Sequence, residues 1–370
     1  MMQLLKFELY KIFNQKMVYI TFLFLLLFST GFTFDSSTQA ERDLYKEWEG
    51  PLPEAKVELA EKENARLNEI IDKRVEEGKE GQILTDTEIL RSGIYEQIAF
   101  IKGSERQLKE TYKTLDQENK YNSELGKSMI QKVDLSYFSY NKGPSEMIDY
   151  ASFYSVLLTG CMLLIGLSAT YTQEYSSGVD HYILSSRKGK ETLLTSKIIA
   201  SLIYAAVVVL VWEIFNLVWN GIKYGFEGWS TPIQHMFKYY FSPYSFTMLE
   251  FHLVQLCLHL FAAFAFAMLI ILVSSLCKNS LLSFFINAVI FAVPFFVVET
   301  MNFPSWLEDM FSFSFIYIMK VEFLFDHFKT INVWGAPLLY PIVGLLWVII
   351  ISTVILLVTN KVIKNKEVTV

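Results

Sequence analysis

Glu213, Asn216 and Asn220 stand at i, i+3 and i+7 inside one long apolar run, and His252, Gln255 and His259 repeat that spacing inside the next. On an α-helix each trio shares one face. Polar and titratable groups at hydrocarbon depth are costly, about 2.5–3.5 kcal/mol for a charge at the centre, so they turn toward each other or toward a cavity. Two roles follow. The six residues line a polar path, with Glu213 pairing to a histidine across helices, or they supply interhelical hydrogen bonds worth about 0.6 kcal/mol each. No metal centre is expected, because His252 and His259 are two turns apart and no carboxylate shares their face.

A second constellation lies in the polar loop that precedes Glu213. It holds Glu174 at the exit of an apolar run and Gly178 four residues on. A short helix-compatible stretch then leads to the cations Arg187, Lys188, Lys190 and Lys197. A basic turn that only sets topology would account for the four cations. It does not account for Glu174 and Gly178 at that spacing. Recognisable catalytic and nucleotide-binding motifs are missing: Gly126-Lys127-Ser128 has Tyr121 where a phosphate-binding loop needs its first glycine, and Gly189-Lys190 is followed by Glu191. G-x-G-x-x-G, H-E-x-x-H and G-x-S-x-G do not occur. The chain is therefore not expected to be an enzyme, and any work it does on a gradient must be driven by a partner or by coupled ions.

The elements that must position these residues are six apolar stretches, Met17–Phe34, Tyr150–Tyr171, Ile198–Trp219, Thr247–Ser275, Leu281–Glu299 and Ala336–Asn360. Each approaches or exceeds the roughly 20 residues that an α-helix needs to cross a bilayer. The expected fold class is an all-α polytopic membrane protein with six transmembrane helices. Lys6, Lys11 and Lys16 precede the first stretch as in a signal peptide, but the run is span-length and Phe32-Thr33-Phe34 is a poor cleavage site, so an uncleaved first helix is expected. Leu5, Leu9, Ile12 and Phe13 follow helical spacing while Lys6, Glu8, Lys11 and Lys16 supply charge, and the segment predicts an amphipathic interfacial helix in the headgroup layer before it.

Of the chain's 32 Lys and Arg and 38 Asp and Glu, 17 and 25 lie between Asp35 and Asp149, so the net charge of −6 describes a water-exposed insertion. No basic surface argues for nucleic acid. With the N-terminus placed inside, the inner segments carry eleven positive charges (Lys6, Lys11, Lys16, Arg187, Lys188, Lys190, Lys197, Lys278, Lys361, Lys364 and Lys366), and the two short outer segments carry four, Lys223, Lys238, Lys320 and Lys329. By the positive-inside rule both termini are cytoplasmic in the plasma membrane and the insertion is extracellular. The three cysteines, Cys161, Cys257 and Cys277, sit in or beside apolar runs and predict packing rather than disulfides.

The insertion, 35–148, reads as helical. Pro53-Glu54 opens a run with Leu67, Ile70, Ile71 and Val75 on one face, and Gly78 and Gly81 end it. Thr85-Asp86-Thr87 offers N-cap chemistry to a helix carrying Ile89, Leu90, Ile94 and Ile98, with Leu108, Tyr112 and Leu115 continuing the pattern. Its apolar residues are few, so a thin core is expected, completed by a partner copy or the membrane mouth. The segment 301–335 is greasy but broken by Lys320, Glu322, Asp326 and His327, and predicts a re-entrant or interfacial element. The domain division is thus 1–34, 35–148 and 149–370.

At the loop 172–197 the residues carry a resemblance. Glu174, Gly178, Leu184, Arg187 and Lys197 match the E-x-x-x-G…L-x-x-x-R…K pattern after the second span of the membrane (permease) subunits of type 2 bacterial ATP-binding-cassette exporters. The leading helix, the six spans and the broken segment before the last span are similar to that family too. The loop departs from the pattern at Val179, where Thr often follows the glycine, and at Ser186. The resemblance implies that 172–197 is a coupling loop docking on separate cytosolic ATPase subunits, which bind the ATP and magnesium, while this chain holds no cofactor. It also implies a second permease, as a homodimer or a heterodimer, and export of cargo; aromatics and sparse polar groups along the path suit an amphipathic or peptide-like one. The rival expectation is a membrane-anchored sensor or immunity protein that binds a peptide through its extracellular module.

Overall fold

The computed structural model describes residues 2–31, 36–76, 84–115, 120–179, 189–300 and 304–365. Helix α1 (Met2–Phe13) turns by 51° into α2, Lys16–Gly31. The insertion follows as α3 (Gln39–Trp48), the short strand β1 (Gly50–Pro51), α4 (Glu54–Glu76), α5 (Asp86–Thr114), α6 (Lys120–Ile130) and β2 (Tyr137–Phe138), which pairs antiparallel with β1. Next come α7 (Lys142–Ser152), α8 (Tyr154–Leu167), α9 (Thr172–Ser177), α10 (Gly189–Tyr224), α11 (Met248–Leu276) and α12 (Ser280–Thr300). Short helices α13 (Ser305–Ser312), α14 (Phe315–Lys320) and α15 (Glu322–Phe325) lead to a hairpin of β3 (Thr330–Val333) and β4 (Ala336–Leu339), then to α16, Tyr340–Lys364.

The protein is mostly helical. Among the described residues, five helical stretches are long and apolar enough to cross a membrane, Lys142–Ser177, Lys190–Tyr224, Met248–Leu276, Ser280–Thr300 and Tyr340–Lys364, and a sixth if α1 and α2 count as one bent span. Their outward faces carry exposed large apolar side chains, such as Leu23, Ile214, Phe285 and Leu357, as a lipid-facing surface requires. Their inward faces close around Leu163, Tyr204, Trp212, Phe266 and Ile270.

Four details differ from the sequence reading. The loop after the second span is shorter than 172–197, because α10 begins at Gly189, well before the apolar run at Ile198; Lys190, Glu191 and Lys197 are good helix formers and extend the span beyond its greasy part. The second span is interrupted at Phe153 between α7 and α8. The stretch 336–339, assigned to the last span, is a strand, and Pro341 in the first turn sets the start of α16 at Tyr340. The two small sheets also qualify the all-α expectation. Within 301–335, Met301–Phe303 lie outside the described residues. The remainder packs inward through Ile316, Tyr317, Ile318 and Met319, and its interrupting polar groups have partners: Lys320 lies 3.1 Å from Glu299 and 3.7 Å from Glu322, Glu322 lies 3.6 Å from Lys238, and Asp326 lies 3.1 Å from His327.

The insertion has its own core, built from Leu44, Leu52, Leu67, Ile94, Ile98, Ile101, Leu108 and Phe138. Thr85 caps α5 with a reciprocal Glu88 capping box. Val75 and Ile89, expected on buried faces, are exposed near the helix ends, and Gly78 and Gly81 lie outside the described residues. The module rests on the chain between α10 and α11: Ser104 Oγ donates to the Tyr240 carbonyl (2.6 Å), and the Phe100 and Tyr240 ring centroids lie 4.9 Å apart. At its root Gly143 is backed so closely by α10 that a Cβ there would lie 2.0 Å from the Gly225 carbonyl oxygen.

Candidate functional site

Lys197 is completely buried, and its ammonium group uses all three of its protons. Nζ lies 2.7 Å from Glu174 Oε1, 2.9 Å from Glu8 Oε2 and 3.0 Å from the Thr170 carbonyl oxygen, with the Tyr171 ring centroid at 4.9 Å. Lys11 closes the cluster, donating to the same Glu174 oxygen at 2.7 Å and lying 3.3 Å from Glu8 Oε1. Two ammonium groups thus meet two carboxylates, and the formal charge cancels. Such a cluster adds little net stability over an apolar one, yet removal of one member is expensive because a charge is left buried and unpaired. Its effect is geometric: it ties α1, α9 and α10 at one point.

Local sequence explains each arm. Glu8 and Lys11 are three residues apart and so lie on one side of α1. Leu5, Leu9 and Phe13 pack on the core, and Ile12 is buried, so this face must carry Glu8 inward as well. Glu174 sits in the first turn of α9, whose base is fastened to α11: the Tyr171 amide donates to Ser274 Oγ (3.0 Å), Ser274 Oγ to the Ser168 carbonyl (2.9 Å), and Tyr175 OH to the Ser275 carbonyl (3.2 Å). Helix α9 closes at Gly178, whose φ of +70° is the left-handed conformation in which glycine carries no Cβ penalty. Leu184 and Arg187 lie outside the described residues. Of the five loop residues singled out from sequence, the structure therefore joins Glu174 and Lys197 directly and sets Gly178 at the end of the same helix. Both side chains face inward.

The six intramembrane polar residues are all buried. Glu213 Oε1 lies 2.7 Å from His252 Nε2, so a carboxylate and an imidazole do meet across α10 and α11. His252 Nδ1 faces Gln255 Oε1 at 3.3 Å. That amide is oriented by its own donations, to the Ile148 carbonyl (3.1 Å) and Ser152 Oγ (2.8 Å). Asn216 donates to the Met147 carbonyl (2.9 Å) and receives a bond from Asn220 (2.7 Å). His259 Nε2 meets Thr159 Oγ1 at 3.1 Å. The contacts form three hydrogen-bonded groups, Glu213–His252–Gln255, Asn220–Asn216 and His259–Thr159, which together make a polar seam among α7, α8, α10 and α11. The seam brackets the break at Phe153, where Asn216 and Gln255 hold the last turns of α7.

Glu8 and Lys11 were read only as charges that mark a headgroup-level helix. The signal was present: Leu5, Glu8, Leu9 and Ile12 follow i, i+3, i+4, i+7, which places a carboxylate within the apolar stripe, and a carboxylate there requires a buried cation. No group of His, Cys, Asp and Glu suited to a metal ion occurs among the described residues. No protein-family model matches the sequence, and no curated protein shows significant similarity to it.

Proposed function

We propose that this chain is the permease subunit of an ATP-driven exporter, one half of a two-permease assembly worked by separate cytosolic ATPase subunits. The observation that supports this most is the buried cluster. It binds both ends of the 178–188 loop, through Glu174 and Lys197, to the N-terminal helix. A push on that loop is delivered to α1, α9 and α10 together, as a rigid-body transmission requires. In this reading both termini and the loop are cytoplasmic in the plasma membrane, the insertion is extracellular, Leu184 and Arg187 form the docking tip, and Glu174, Gly178 and Lys197 hold its base. The seam from Glu213 to His259 lies beside the path of an amphipathic or peptide-like cargo. ATP and magnesium belong to the partner.

The test is affinity purification of the protein from its native membrane, with the copurifying polypeptides assayed for ATP hydrolysis. Copurification, together with an Arg187→Ala variant that assembles but uncouples ATP hydrolysis from transport, is the expected result. Arg187 is preferred to Glu174 because Glu174 also holds the cluster. Transport by the purified polypeptide without any nucleotide-hydrolysing companion would refute the proposal. The sensor or immunity reading requires peptide binding by the insertion with no ATPase present.

A further inference from the structure

The bend between α1 and α2, the first turn of α9 and the turn between α11 and α12 border an open cavity of about 590 Å³. It falls within the range of about 300–1,000 Å³ typical of small-ligand sites. Its wall includes two lysines, Lys16 and Lys278, and no acidic residue. Both lysines are exposed, and neither forms an ion pair among the described residues. The nearest carboxylate in sequence, Glu174, is turned to the opposite side, where Lys197 and Lys11 hold it. The rest of the wall includes neutral groups able to donate hydrogen bonds: the Gln173 and Asn279 amides and the Ser280 hydroxyl. Lys16 opens α2 and Lys278 follows the end of α11, so both cations stand where apolar helices meet the polar boundary.

Two uncompensated ammonium groups facing one polar cavity at that level match a compact, multiply accepting anion. We infer that this cavity binds a phosphate group, carried either by an anionic lipid headgroup entering from the bilayer or by a soluble phosphate. The inference rests on the membrane-spanning fold alone and is independent of the transport reading, since the cavity needs no ATPase to fill.

The test compares the full-length protein with a Lys16→Gln/Lys278→Gln variant and with a Lys6→Gln/Lys361→Gln control, which removes the same charge from exposed positions away from the cavity. Retention of phosphatidylglycerol and of phosphatidylcholine is measured by native mass spectrometry, and inorganic phosphate binding by thermal shift in detergent. Phosphatidylglycerol affinity is expected to fall about 25-fold in the cavity variant, roughly fivefold for each lysine at a lipid surface. The control and phosphatidylcholine should change little. Phosphate binding that depends on the two lysines, without selective lipid retention, assigns the site to a soluble phosphate instead. Failure to bind either probe, or equal loss in the cavity variant and the control, overturns the inference.

Discussion

Replacing Lys197 with methionine should be among the most damaging single changes in this protein, although no ligand touches the residue. Methionine keeps most of the buried stem, so packing changes little. The ammonium group is lost, and with it bonds of 2.7 Å to Glu174, 2.9 Å to Glu8 and 3.0 Å to the Thr170 carbonyl. One positive charge, Lys11, then faces two buried carboxylates. Breaking a buried pair from one side costs about 3–5 kcal/mol. Because the cost is an unbalanced charge, a second neutral substitution should relieve it: Lys197→Met/Glu8→Gln restores one cation to one anion and should recover about 2 kcal/mol or more. Equilibrium unfolding in mixed micelles measures both, with Lys62→Met on the exposed side of α4 as a reference expected within about 0.5 kcal/mol of the parent. If Lys197→Met lies within 1 kcal/mol of the parent, or if the double variant is no more stable than the single one, the cluster is not a closed electrostatic unit.

Two further outcomes follow. His235 is buried with neither ring nitrogen partnered among the described residues, and burial pushes its imidazole down to about 3. Its depressed folded-state value means that the unfolded chain takes up a proton first, so the stabilising difference is intact above about pH 6.5 and is lost as pH falls toward 3. Between pH 7 and 5 this residue alone should cost about 2 kcal/mol, and unfolding of a His235→Gln variant should show a correspondingly flatter pH dependence. Gly143→Ala places a Cβ 2.0 Å from the Gly225 carbonyl, a backbone atom that cannot swing aside. A loss of about 1–3 kcal/mol is expected, and wild-type stability in the same unfolding assay would show that α7 and the end of α10 are not in contact.

Whatever depended on local pattern was legible in the sequence. The Thr85 cap, the apolar faces of α4 and α5 and the approximate positions of the long apolar helices follow from spacing alone. So did the approach of Glu213 to a histidine, because two polar faces on successive apolar helices have few other places to turn. The misses have a common cause. Where α10 begins, where α7 gives way to α8 and how β3 pairs with β4 are decided by tertiary contact, which overrides a hydropathy boundary. The union of Glu8 with Lys197, 189 residues apart, was not visible to any window that reads one helix at a time.

The cluster and the seam share α10, and the base of α9 links the cluster to α11 as well, which decides how displacement at one could reach the other. Lys197 and Glu213 are sixteen residues apart on α10, about 24 Å at 1.5 Å per residue. Ser274, which fastens the base of α9, lies on α11 with His252 and His259. Between these points neither helix contains glycine or proline, the usual sites of kinking, so each acts as a strut. The neighbouring spans are different: α7 and α8 are broken at Phe153, and α12 carries Pro294 in its interior. The features that permit bending therefore lie in the helices that pack against the struts. The polar seam is the contact that must hold or exchange when they bend, because Gln255, Asn216 and His259 grip α7 and α8 on either side of the break.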